Sequence, residues 1–169
     1  MSELSDRPIL KLPLSRLEIG CEVFGLAGLL LALGLFLVYW PILPESIPTH
    51  FNLAGEADDW GPKGVFAIFP AMALILFAVI TAINRFPWIF NYFWEIHEGN
   101  AERQYRLARA LLSWLKACSM WLFVALAWMT ARTALGAQDN SLPNTLLMLM
   151  GAAMLLSLAG YFIIGSKAR

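Results

Sequence analysis

The residues best suited to chemistry lie in one polar stretch, residues 41–63 (PILPESIPTHFNLAGEADDWGPK). This stretch contains His50, one of the two histidines in the chain, and four of the nine prolines. Its net charge is −3, because it contains one base, Lys63, and four acids: Glu45, Glu56, Asp58 and Asp59. An imidazole among carboxylates is a starting point for a metal site, for acid–base catalysis or for recognition of another molecule.

Metal binding and catalysis both lack the partners that they need. His50 is the only imidazole in the stretch, and its spacing to the nearby carboxylates matches no metal-binding pattern. No nucleophile or glycine-rich elbow accompanies it, so a role as a general base is unsupported. The sequence therefore predicts no catalytic residue, no metal and no cofactor.

Recognition remains, beside a purely structural alternative. Aromatic, proline and acidic residues suit a surface that binds an extracytoplasmic peptide or protein. The candidate binding residues are His50, Asn52, Asp58, Trp60 and Lys63. Alternatively, His50 and Asn52 only hydrogen-bond the turns of their own loop. The sequence leaves both interpretations open.

The local conformation of this stretch follows from its prolines and glycines. Pro48 disfavours a helix, so residues 47–53 are predicted to be extended, with His50 and Asn52 on the aqueous face. The opposite face is predicted to lie on the helix ends and carries Thr49, Phe51 and Leu53. Glycines that can adopt a positive φ predict two turns, at 52–55 and 58–62.

Composition indicates what holds this stretch in place. Hydrophobic residues make up 59% of the chain and charged residues 14%, against about 45–50% and about 25% in soluble domains. Four apolar segments are each long enough for the roughly 30 Å hydrocarbon layer. They are residues 20–40, 64–84, 110–131 (a helix extended back to about 101) and 145–165. The predicted fold class is an all-α integral membrane protein with four transmembrane helices, whose first partner is the lipid bilayer.

Basic residues outside these segments predict the topology. Nine lie in residues 1–19, in the 85–109 link and at the C-terminus. Only two lie on the other side: Lys63 in the 41–63 loop and Arg132 in the link before the fourth segment. Because cytoplasmic loops are enriched in Lys and Arg, both termini are predicted to be cytoplasmic and the structured, Pro-rich loop extracytoplasmic. The domains are then a tail (1–19), one membrane domain (20–165) and a second tail (166–169). With zero net charge and no basic cluster, no nucleic-acid partner is expected.

A second candidate site is a polar stripe on the third segment. Its members recur at steps of four and three, which places them on one helix face: Glu102, Arg106, Arg109, Ser113 and Lys116. Lys116 lies about six residues, roughly 9 Å, inside the segment. It can either extend back to the surface or pair with Glu22 of the first segment. Glu22 and Lys116 are therefore the candidate intramembrane pair.

Other residues predict how the helices begin and pack. Gly28 and Ala32 form a step of small residues that would admit a second helix, so a homo-oligomer stays open. Pro70 is predicted to bend the second segment, and Asn100 is predicted to cap the third helix. An interfacial girdle is predicted from Trp88, Tyr92 and Trp94.

The loop also resembles the signature of a domain family of unknown function found at the N-terminus of SdpI-type immunity proteins. The matching positions are Ile47, Pro48, His50, Phe51, Asn52, Gly55, Asp58, Trp60, Gly61 and Lys63. A second stretch, FNYFWEIHEGNAERQYRLARALLSWLK, is similar to the one that precedes the third helix in many members, so the resemblance covers about residues 20–135. It implies a small multi-pass protein of the bacterial cytoplasmic membrane and, for SdpI-type proteins, immunity to a secreted membrane-active peptide. This chain has four segments, fewer than those proteins have.

Together these observations predict a non-enzymatic envelope protein. It would sense, bind or protect against an extracytoplasmic peptide, or bind a membrane-protein partner, through the 41–63 loop. The alternative is a small permease or transporter-accessory subunit that uses the stripe with Glu22 and Lys116.

Overall fold

The computed structural model describes residues 7–52 and 54–167, and within them the chain forms four long helices and one β-hairpin. The helices are α1 (Arg16–Tyr39), α2 (Ile68–Ile83), α3 (Ala101–Ala134) and α4 (Ser141–Lys167). The hairpin consists of β1 (Ser46–Phe51) and β2 (Ala57–Pro62), and a 3₁₀ turn (Lys63–Ala67) joins it to α2. With that turn counted in α2, all four helices are long and apolar enough to cross a membrane. The four predicted segments are confirmed in that sense, whereas the prediction of an all-α chain misses the hairpin.

Helices α1 and α3 pack along a face of small residues. A Cβ added at Gly28 would lie 2.9 Å from the Cβ of Met120, and one added at Gly25 would lie 3.3 Å from the Cα of Ala117. Ala32, one turn further along α1, is fully buried. Gly28 and Ala32 are predicted to admit a second helix. At Gly28 that helix is α3 of the same chain.

The hairpin is antiparallel and irregular. Its register slips on either side of His50, which interrupts the alternation of faces. As a result Ile47 and Pro48 are both buried, while Thr49 and His50 are both exposed. The predicted placement of Thr49 on the apolar face is therefore wrong. The other residues predicted for that face are Phe51, which is half-buried, and Leu53, which lies outside the described residues.

One of the two turns predicted in the loop is present. At 52–55 the chain turns, and Gly55 supplies the positive φ of 82°. The turn predicted at 58–62 is wrong, because these residues belong to β2. Gly61 serves close approach instead of a turn, since a Cβ there would lie 2.8 Å from Cγ2 of Thr49 on the facing strand.

A buried apolar cluster seats the hairpin on the helix ends. Its buried members come from the α1–β1 link, the hairpin, the 3₁₀ turn and α3: Leu43, Ile47, Phe66, Ala127 and Ala131. The rings of Phe36 and Phe66 stack beside them, with centroids 6.0 Å apart. Because burying one large apolar side chain contributes about 1.5–3 kcal/mol, this cluster holds the hairpin in a fixed position over one end of the bundle.

Prolines mark the beginnings of α2 and α4. Pro70 is the third residue of α2, where the missing backbone N–H leaves no intrahelical bond unmade. The predicted bend stays a prediction, and Pro70 stands two residues after the 3₁₀ turn gives way to the α-helix. Pro143 has the same position in α4, which begins four residues before the predicted segment.

The N-terminal segment lies across the opposite end of the bundle. The hydroxyl of Tyr105 donates to the carbonyl of Pro8 at 3.0 Å, and Nη1 of Arg109 donates to the carbonyl of Leu12 at 2.8 Å. Leu10 and Leu12 also pack on the apolar cluster around Tyr105. Residues 7–15 therefore form a strap, called here the N-terminal strap, tied to α3.

Helix α1 begins four residues earlier than predicted because a capping box forms there. The hydroxyl of Ser15 accepts from the backbone N–H of Glu18 at 3.2 Å, and the Glu18 carboxylate accepts from the N–H of Ser15 at 2.7 Å. Residues 16–19 of the predicted tail thus belong to α1, and α4 continues to Lys167. Two pieces of the predicted tails lie outside the described residues: 1–6 and 168–169.

The aromatic link between α2 and α3 packs on the protein itself. Of the predicted girdle residues, Trp88 and Tyr92 pack against the apolar cluster around Tyr105. The third, Trp94, packs against Gly165 of α4. Asn100 occupies the predicted N-cap position, but its side chain bonds backward into the link. It accepts from the N–H of His97 at 3.0 Å and donates to the carbonyl of Glu95 at 2.9 Å.

Candidate functional sites

The hairpin presents a charged surface to solvent. His50 Nδ1 lies 2.5 Å from Oδ1 of Asp58 on the facing strand, and their side chains are 67% and 47% exposed. Next to them, the hydroxyl of Thr49 donates to Asp59 at 3.2 Å. His50 therefore links the two strands through one ring nitrogen and turns the rest of its ring to solvent.

Asn52 has a structural task in the turn. Its Oδ1 accepts from the backbone N–H groups of Ala54 and Glu56, at 2.9 and 3.0 Å, and its Nδ2 donates to the Glu56 carboxylate at 3.0 Å. These bonds form an Asx-type turn in which the side chain replaces a backbone partner. For Asn52 the structure matches the alternative in which the residue bonds its own turn.

Trp60 and Lys63 lie at different places on the hairpin. Trp60 is 49% exposed and points along the side of β2 that faces the α3–α4 link. Lys63 stands at the base, where its N–H donates to the Glu45 carbonyl at 2.9 Å and its ammonium lies 5.2 Å from the centroid of the Trp40 ring. The structure thus brings His50 and Asp58 together, and leaves the other three predicted binding residues at the turn, the side and the base.

A hollow of 830 Å³ separates the hairpin from the α3–α4 link, and we call it the hairpin hollow. The hairpin contributes Glu56 and Trp60 to its wall, and the link contributes Gln138, Asp139 and Asn140. The N–H of Ser141 donates to Asp139 at 2.8 Å. Hydrogen bonds from the backbone and the side chain of Ser141 hold the pKa of the Asp139 carboxyl below its ordinary value. The hairpin hollow therefore combines an exposed aromatic ring with acidic and amide groups.

Sequence reasoning missed the contribution of the link to this hollow. The run AQDNSLP carries the turn-forming and amide residues that could have drawn attention to it. The hairpin approaches the start of α4, directly after this link: a Cβ at Gly55 would lie 3.4 Å from the side chain of Asn144. This contact joins residues that are far apart in the sequence. A smaller cavity of 340 Å³, lined by His50, Asn52 and apolar residues of α2, α3 and α4, also reaches Asn144.

The second candidate site lies inside the bundle. Lys116 Nζ donates to both carboxylate oxygens of Glu22 at 2.6 Å and to the hydroxyl of Thr81 at 2.8 Å. It also lies 4.5 Å from the centroid of the Phe77 ring. Lys116 is fully buried and Glu22 is 27% exposed, so the ammonium does not extend back to the surface. The structure therefore brings these two predicted residues together.

A second buried ion pair, absent from the sequence-based predictions, lies beside the first. Arg109 Nε and Glu18 Oε1 are 2.9 Å apart, and both side chains are almost fully buried. Glu18 precedes Glu22 by one turn of α1, while Arg109 precedes Lys116 by two turns of α3, so acids and bases face each other along the two helices. The outer members of the predicted stripe, Glu102 and Arg106, form only an exposed pair.

Among residues 7–52 and 54–167, no three His, Cys, Asp or Glu side chains come close enough to hold a metal ion. Cys21 and Cys118 are buried free thiols.

These features define a class: a helical protein whose described residues form four helices suited to a membrane and a hairpin fixed over one end of the bundle. The family model described as a domain of unknown function (DUF1648) matches residues 27–74, which run from α1 through the hairpin into α2. The resemblance to a family of unknown function is thereby confirmed for this segment. The connection to SdpI-type immunity stays a prediction.

One relative is similar over a comparable length. An uncharacterized protein of Archaeoglobus fulgidus is 42% identical over 57 residues, which cover 29% of this chain and 31% of that protein. This chain therefore spans less than a third of the length of that relative. No solved structure matches the chain.

Proposed function

We propose that this chain is a non-enzymatic protein of the bacterial cytoplasmic membrane, with both termini in the cytoplasm. Through residues 41–63 it senses, binds or protects against an extracytoplasmic peptide. The observation that carries the proposal is the hairpin hollow of 830 Å³ beside a hairpin that a buried cluster holds in place. Its volume lies within the range of about 300–1,000 Å³ that is usual for ligand pockets.

The wall of the hairpin hollow favours a peptide that carries both a basic and an apolar side chain. Trp60 offers a half-exposed ring, which contributes contact area at little entropic cost. Glu56 and Asp139 place carboxylates on opposite walls, and the hairpin as a whole is acidic. Cationic membrane-active peptides have this combination of charge and apolar surface.

Survival of cells against a panel of membrane-permeabilising peptides tests the proposal. Cells that lack the protein are complemented with the wild type, with Trp60→Ala or with His50→Ala. The other histidine provides a matched control, His97→Ala, because it is also exposed but lies at the opposite end of the bundle. Rescue by the wild type and His97→Ala, but not by normally expressed hairpin variants, is expected. Equal survival of deleted and complemented cells across the panel would exclude this function.

The second candidate function is a small permease or transporter-accessory subunit. It is favoured by one observation, the fully buried Lys116 paired with Glu22 across α1 and α3, since ionisable groups inside a membrane are costly and mark transport pathways. The double variant Glu22→Gln/Lys116→Met removes both charges without leaving one unpaired. A permease loses function in this double variant and tolerates His50→Ala, whereas the peptide-binding protein shows the opposite sensitivity.

A further inference from the structure

A separate cavity lies at the end of the bundle that carries the N-terminal strap and the end of α4, and we call it the terminal cavity. It has a volume of 340 Å³. Leu10, Leu12 and Leu14 of the N-terminal strap form its apolar side. Its polar side is formed by groups from three helices: Glu22 of α1, Thr81 of α2 and Arg109 of α3, with Asn84 at the end of α2.

Asn84 provides an acceptor that no described residue uses. The residue is 7% exposed, and its Nδ2 donates to the hydroxyl of Ser113 at 2.8 Å and to the carbonyl of Arg109 at 3.3 Å. Because a carbonyl can only accept, the donor must be Nδ2, which settles the orientation of the amide. Oδ1 is buried and has no hydrogen-bond partner among the described residues, and Asn84 lines the terminal cavity. A buried acceptor without a donor indicates a missing hydrogen-bond partner.

Two other polar groups in the terminal cavity, Glu22 and Thr81, can also accept a hydrogen bond, whereas the charge of Arg109 is already paired with Glu18. Lys116 engages each oxygen of Glu22 once, and each carboxylate oxygen can accept a further bond. Glu22 retains 27% exposure and lines the cavity, whereas Lys116 is fully buried behind it. An ammonium group in the cavity would therefore meet acceptors from Glu22, Thr81 and Asn84.

The rim of the terminal cavity has the opposite charge. Lys11 and Arg85 line the cavity, and both are exposed. An apolar groove of 320 Å³ continues from there along α2 and shares Thr81 and Arg85 with the cavity. The remaining walls of this groove are Phe77, Ala78, Ala82 and Phe86. Acceptors inside, cations at the rim and an apolar groove beyond them match a molecule with an ammonium, an anionic and an alkyl part.

We propose that the terminal cavity binds an aminophospholipid from the leaflet at this end of the bundle. Its primary ammonium donates to Asn84 Oδ1 and the Glu22 carboxylate. Its phosphate lies at Lys11 and Arg85, and an acyl chain follows the groove on α2. Basic residues at a helix end are a common site for lipid phosphates. This site is independent of the hairpin and of the proposed peptide binding.

Headgroup selectivity of the purified full-length protein in detergent tests this proposal. Binding of phosphatidylethanolamine, phosphatidylcholine and phosphatidylglycerol with identical acyl chains is measured by native mass spectrometry. Only the first of these has an ammonium with N–H donors, so it should bind about tenfold more tightly than the choline lipid, as expected for hydrogen bonds to charged groups. Equal affinity for the two in the wild type would overturn the proposal without recourse to any variant.

Three variants and one competitor locate the site. Asn84→Leu should remove the preference for ethanolamine, and Arg85→Gln should weaken all three lipids. Arg103→Gln is the matched control, since Arg103 is exposed at the same end but lines neither cavity nor groove, and it should change nothing. If Arg103→Gln weakens binding as much as Arg85→Gln does, the lipid binds elsewhere and the proposal is wrong. Free phosphoethanolamine that competes as well as the lipid would replace the lipid by a soluble amine and would equally overturn the proposal.

Discussion

Lys116 Nζ lies 2.6 Å from both carboxylate oxygens of Glu22 and 2.8 Å from the hydroxyl of Thr81. These residues belong to α3, α1 and α2, so one ammonium joins three of the four helices. Three donated hydrogen bonds use all the protons of the ammonium, and the Phe77 ring covers it at 4.5 Å. The charge is therefore fully compensated inside the bundle.

This compensation predicts an asymmetry between single and double substitutions. Lys116→Met should destabilise the protein by about 3 kcal/mol, because it leaves a largely buried carboxylate unpaired. Glu22→Gln/Lys116→Met should recover most of that loss, since neither charge remains. Unfolding of the purified protein in mixed micelles measures both. The control is the exposed pair Glu102–Arg106, whose removal should cost about 0.3–0.5 kcal/mol. A double variant that loses as much stability as Glu22→Gln and Lys116→Met lose separately, added together, would contradict this prediction.

The sequence offers this pair as one of two alternatives for a physical reason, and misses its neighbour for another. A lone lysine inside an apolar segment demands a partner, and Glu22 is the acid at matching depth. Glu18 was not available to the same reasoning, because it falls in the predicted tail. Only the capping box at Ser15 extends α1 far enough to turn Glu18 toward Arg109. A four-residue error in a helix boundary thus conceals a buried ion pair.

The helices and the hairpin also differ in how far the sequence predicts them. Apolar length alone predicts a membrane helix, so all four segments are found within a few residues of their observed bounds. The hairpin depends on contacts between strands. Gly61 and Pro62 follow a polar run and are typical of a turn, yet they pair with Ile47 and Ser46. The hairpin hollow depends on contacts more distant still, between the hairpin and the α3–α4 link, which no local pattern encodes.

Gly28 allows a test of the close packing between α1 and α3. Gly28→Ala places a Cβ 2.9 Å from the Cβ of Met120, which cannot rotate away, and should cost about 1–3 kcal/mol through overpacking. Gly34→Ala is the matched control in the same helix, because nothing lies within 4 Å of an added Cβ there. It should be neutral or stabilising by up to about 1 kcal/mol through helix propensity. Thermal unfolding in detergent compares the two, and equal effects would show that the contact has no energetic weight.

Gly61 offers a corresponding test for the hairpin. Gly61→Ala should destabilise the hairpin by about 1–2 kcal/mol, because the new Cβ lies 2.8 Å from Cγ2 of Thr49. Thr49→Ser removes that methyl group and keeps the hydroxyl that bonds Asp59. The double variant should therefore be more stable than Gly61→Ala alone. Limited proteolysis within residues 41–63, with the single Thr49→Ser variant as control, measures the effect; the absence of rescue would place the strain elsewhere.

The proposed topology makes a prediction about access to cysteines placed at the two ends of the bundle. Thr49 on the hairpin and His97 on the α2–α3 link are both exposed. The native Cys21 and Cys118 are buried, so they should contribute little background. An impermeant thiol reagent should label Thr49→Cys in intact spheroplasts and His97→Cys only after lysis. The reverse pattern would place the hairpin in the cytoplasm and would exclude an extracytoplasmic peptide as its ligand.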